Sequence, residues 1–93
     1  MLGGIGLAAC AGAPVQEMSN ARQAIKAARD AAGDTVSTPP SLIEAEALLI
    51  RAEDSLQRRA YKAARRDAIA ARGKAAEALS STRTADERNG GGA

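Results

Sequence analysis

One residue in the first ten has a chemistry that its neighbours specify. Cys10 is the single cysteine of the chain and closes the run Leu7-Ala8-Ala9-Cys10. It has no partner for an internal disulfide, so in an exported protein it must pair between chains or be modified.

The pattern resembles a bacterial lipobox, with Leu7, Ala8 and Ala9 as its recognition residues and Cys10 as the lipid-attachment site. Residues 1–9 then read as a truncated lipoprotein signal peptide, and residues 10–14 as a tether. A secretory signal carries a positive start before its apolar stretch. Met1 to Ala9 has no Lys or Arg, and crossing a bilayer takes about 20 apolar residues. The start of the leader is therefore expected upstream of Met1. Ala11, rather than Asp, follows the cysteine. By the sorting rule of Gram-negative lipoproteins, that resembles an outer-membrane address facing the periplasm.

Other chemistry finds few residues. The 93-residue chain has no histidine, which removes Ser-His and Cys-His nucleophilic pairs. One cysteine without histidine cannot build a zinc site. Glu44 and Glu46 fall on different helix faces, and Glu53 and Asp54 are adjacent; a solvated face explains them better than an acid/base pair. No glycine-rich phosphate loop is present. The chain is expected to be no enzyme, with no cofactor, no metal and no small-molecule substrate.

The basic run is the second candidate for function. Arg58, Arg59, Lys62, Arg65 and Arg66, followed by Arg72 and Lys74, could contact phosphates or an acidic partner. A solvated helix face neutralised by an acidic neighbour is the plainer reading. Nucleic acid fits poorly, because Tyr61 is the one aromatic residue and stacking platforms are missing.

Composition sets what can position these residues. About a quarter of the chain is alanine, and Phe and Trp are absent. Alanine buries one methyl, worth about 0.8 kcal/mol. Ordering costs about 1.5 kcal/mol per residue. Alanine offsets part of that as the best helix former. The expectation is an all-α, marginal domain: a small antiparallel three-helix bundle, or a helical hairpin plus a preceding helix.

Three periodic stretches carry it. In residues 15–32, Met18, Ala21, Ile25, Ala28 and Ala32 share one face, and Gly33 is placed to close the helix in a left-handed conformation. Pro39 and Pro40 bar continuation from upstream. Ser41 with Glu44 fits a capping box, and Thr38 with Pro39 at the first helical position is the alternative. In residues 42–57, Leu42, Ala45, Leu49, Ala52 and Leu56 form a stripe that Ile43, Leu48 and Ile50 widen. Such a width predicts a middle helix with the others on either side, or a dimer seam along Ile43 and Ile50. In residues 61–80 the stripe is Tyr61, Ala64, Ala68, Ala71 or Arg72, Ala75 and Leu79. Short connections predict antiparallel neighbours, and acids on the second helix face cations on the third. Gly73 suggests a close crossing or a bend. Residues 81–93 lack an apolar period and read as a disordered tail.

The stretches Leu7-Ala8-Ala9-Cys10, Ala13-Pro14-Val15-Gln16-Glu17-Met18, Ala21-Arg22-Gln23-Ala24-Ile25, Ala45-Glu46-Ala47-Leu48-Leu49 and Tyr61-Lys62-Ala63-Ala64-Arg65 together resemble a family of small alanine-rich helical lipoproteins of Gram-negative bacteria, known only as a domain of unknown function. The second and third helices are also similar to a tetratricopeptide-type hairpin, with Arg59-Ala60 where a glycine and an Asp or Asn usually turn the chain. The resemblance implies lipid attachment at Cys10 and no activity. The reading is a lipid-anchored helical module that binds or scaffolds, with the membrane and an envelope protein or a second copy as partners. The alternative is a soluble cytoplasmic hairpin that binds an acidic partner or nucleic acid through its basic third helix.

Overall fold

The computed structural model describes residues 12–33 and 38–92, with side chains as far as Thr84. Every regular element among them is helical: α1 (Val15–Ala32), α2 (Pro40–Gln57) and α3 (Tyr61–Gly92). They pack side by side as a small antiparallel bundle.

The face expected of α1 is the face it buries. Met18, Ala21, Ile25, Ala28 and Ala32 are its buried residues. Gly33 ends the helix with φ 48°, and its N–H donates to the Arg29 carbonyl at 2.9 Å. Its ψ of −123° lies outside the left-handed helical well, in a region that glycine alone enters without strain.

The start of α2 corrects both caps proposed for it. The helix begins at Pro40, Pro39 holds the N-cap position, and no side chain caps it. A residue before proline is driven to extended backbone. Pro39 obeys at φ −58° and ψ 136°, so Pro40 is the first residue free to be helical. The Leu42 N–H donates to the Pro39 carbonyl at 3.0 Å. Ser41 is buried inside the helix, and Glu44 reaches Lys74 on α3 at 3.4 Å instead of turning back.

The layer order is also corrected. The middle helix is α3, not α2. Both α1 and α2 lie along α3, and they touch each other much less. Ala64, Ala68, Ala71, Ala75 and Ala78 of α3 are all fully buried. A side of single methyl groups lets two backbones approach at once. Met18 and Ile25 press on it from α1; Leu42, with Leu48, Leu49 and Leu56, presses from α2. The extra width of the α2 stripe faces outward, with Ile43 57% and Ile50 65% exposed.

Two further expectations for α3 change. Nothing lies within 4 Å of a Cβ built on Gly73, which faces outward, so no close crossing needs it. The helix also continues past Ser80 to Gly92, where a disordered tail was expected. Thr82 is buried and donates to the Ala78 carbonyl at 3.0 Å. Residues 81–88 contain no proline, and extending an existing helix is cheap compared with starting one.

Candidate functional site

The lipobox residues Leu7, Ala8, Ala9 and Cys10 lie outside the described residues. The chain beyond them docks at once. Gly12 and Ala13 are half-buried and Pro14 is buried. The Pro14 carbonyl accepts from the Met18 N–H at 3.0 Å, so proline is spent where no donor is required. Arg65 of α3 holds this segment from the side. Its guanidinium donates to the Gly12 carbonyl at 3.5 Å and lies 3.6 Å from the Glu17 carboxylate.

The turn between α2 and α3 adjoins that contact. It ends α2 with two bonds: the Ala60 N–H donates to the Ser55 carbonyl at 2.8 Å, and the Arg59 N–H to the Leu56 carbonyl at 3.0 Å. This is the Schellman pattern, whose penultimate position takes positive φ. Arg59 fills it at φ 63°, the one non-glycine with positive φ among the described residues. The expected departure from a glycine turn therefore leaves the geometry intact, and α2 does not run on into α3.

Of the five cations named from sequence, the structure gathers four on the outer side of this turn. Arg58 pairs with Asp54 at 2.9 Å and remains largely exposed. Arg59 and Lys62 are exposed, and no ion pair to either is found among the described residues. Arg66 lies one helical turn after Lys62 and is 3.9 Å from Asp67. Arg65 turns the other way, toward α1.

The charges are distributed differently from the expected acidic-beside-basic pairing of α2 and α3. Glu53 reaches Arg22 on α1 at 3.4 Å. Glu46 accepts from the Arg29 Nε at 3.2 Å. Among the described residues, Glu44–Lys74 and Arg51–Asp67, the latter at 3.8 Å, are the ion pairs that join α2 to α3.

Asp67 is a residue that the sequence did not single out. It is buried on α3 between Arg51 and Arg66. Its position, three residues after Ala64 and four before Ala71, was the available signal. A second feature is apolar: Ile43, Ala47 and Ile50 recur at helical spacing along the outer face of α2, all exposed.

Among the described residues, no group of three or more metal-ligating side chains is assembled. No helix among them is long and apolar enough to cross a membrane. No family model, no curated protein and no solved structure matches the chain.

Proposed function

We propose that the protein is a lipid-anchored helical module of the bacterial envelope, attached through Cys10, facing the periplasm and acting by binding or scaffolding rather than catalysis. The observation that carries this reading is the short distance from thiol to domain. Only Ala11, Gly12 and Ala13 separate Cys10 from buried Pro14. Four residue steps span at most about 14 Å. A lipid on that sulfur holds the bundle against a bilayer surface instead of on a long leash. A single acyl chain anchors reversibly, whereas several anchor stably, and lipoproteins of the resembled kind carry more than one.

The binding surface in this reading is the edge formed by Ile43, Ala47 and Ile50. Two large aliphatic residues exposed at one helical register are poorly used by the bundle itself and fit a helix of an envelope partner or of a second copy.

Mass spectrometry of the protein isolated from its host, with the native leader, tests the reading. The expected result is a mature N-terminus at Cys10 bearing acyl chains, a membrane-bound pool, and release of that pool by Cys10→Ala. An intact leader and a bare thiol overturn it, and favour the soluble hairpin.

A further inference from the structure

We infer that the α2–α3 turn is a second, electrostatic contact with the bilayer, made to the phosphate groups of anionic lipid heads by Arg58, Arg59, Lys62 and Arg66. The inference rests on the lipid anchor proposed above and adds an orientation to it.

Antiparallel packing brings three chain ends to one end of the bundle: the start of α1, the end of α2 and the start of α3. The contact from Arg65 to the Gly12 carbonyl, at 3.5 Å, fixes the tether beside the first turns of α3. Cys10 is two residues from Gly12, so its Cα lies within about 8 Å of the Gly12 Cα by chain geometry alone. The anchor and the basic turn therefore share an end.

The charges at this end are unbalanced. Arg58, Arg59, Lys62, Arg65 and Arg66 stand there against Glu17 and Asp54. Glu53 is taken by Arg22, and Asp67 is shared with Arg51. Arg65 serves the tether; Arg59 and Lys62 are exposed, and Arg58 and Arg66 keep largely exposed side chains beside their partners Asp54 and Asp67. The first turn of α3 adds the positive end of its helix dipole. Arg59 sits at a backbone position that glycine would occupy more easily, so the turn carries a cation where its own folding gains nothing from one. Phosphates held in a plane suit such a group, since each cation near an anionic surface raises binding about fivefold.

The test supplies the tether chemically, so that it does not depend on the native modification. Cys10, the sole thiol, is coupled to a maleimide phospholipid in vesicles of phosphatidylglycerol or of phosphatidylcholine. Acetylation then reports on the three lysines, Lys26, Lys62 and Lys74. On phosphatidylglycerol, labelling of Lys62 falls at least threefold while Lys26 and Lys74 label as in solution; on phosphatidylcholine all three stay open. In parallel, the uncoupled full chain is sedimented with phosphatidylglycerol vesicles. The variant R58Q/R59Q/K62Q loses about tenfold or more in binding. K26Q/R72Q/R83Q, with the same net charge, stays within about twofold of the parent. Circular dichroism confirms that both remain helical. Equal labelling of the three lysines on phosphatidylglycerol overturns the inference, as do equal losses in the two variants. A bare thiol on the native protein removes the anchor but leaves the vesicle result standing.

Discussion

Arg22 on α1 and Glu53 on α2 meet at 3.4 Å, and two helical turns further along Arg29 and Glu46 meet in the same antiparallel register. The two pairs bridge α1 and α2, the two helices that touch each other least. Both are largely exposed, where an ion pair contributes about 0–1 kcal/mol. Arg29→Glu is expected to lower stability by about 1 kcal/mol through like-charge contact. The exchange R29E/E46R should recover at least half of it. Urea titration followed by circular dichroism reads both, and molar salt should shrink the difference.

The central place of α3 can be tested by volume. Ala68 is fully buried, whereas Ala76 is exposed on the same helix. Ala68→Leu adds three heavy atoms to a filled site and should cost about 2–3 kcal/mol. Ala76→Leu should stay within about 0.5 kcal/mol. Equal effects at the two positions would contradict the layer order.

Gly73 occupies an open, outward position in the middle of a helix. Alanine there gains helix propensity without meeting a neighbour. Gly73→Ala should stabilise by about 0.5–1 kcal/mol, a rise of several degrees in Tm for a domain of this size. A fall in Tm would reveal a packing role that the open surroundings do not provide for.

At Arg59 the φ of 63° sets the sign of two substitutions. Arg59→Gly removes the Cβ conflict and should raise stability by up to about 1 kcal/mol. Arg59→Val, branched at Cβ, should lower it by about 1 kcal/mol or more. Thermal melts of the two variants check the order, and identical melts would mean that the turn adapts.

Ile25 and Ile50 are the same residue in opposite surroundings, one 3% and the other 65% exposed. Ile25→Ala should cost about 2–5 kcal/mol. Ile50→Lys should leave unfolding nearly unchanged while disrupting whatever docks on the α2 edge. A chemical crosslink formed by the parent in its host and absent in Ile50→Lys would report the proposed docking.

The sequence alone determined that there are three helices and much of their inward faces, though not where α2 starts or α3 ends. Spacing of three and four placed Met18, Ala21, Ile25, Ala28 and Ala32 on the buried side of α1, because a 3.6-residue period leaves few other arrangements. It marked Cys10 and the basic run for the same local reason, since residue type and neighbours are written in the chain. Tertiary structure alone decided which helix lies in the middle. A wide apolar stripe on α2 and a stripe of methyl groups on α3 make equal claims on paper. Close approach of backbones favours the methyl groups, and that contest is settled only between helices. Where the cations point was decided in the same way. Arg65 turns to the tether and Arg59 to solvent because α1 packs against one side of α3 and not the other.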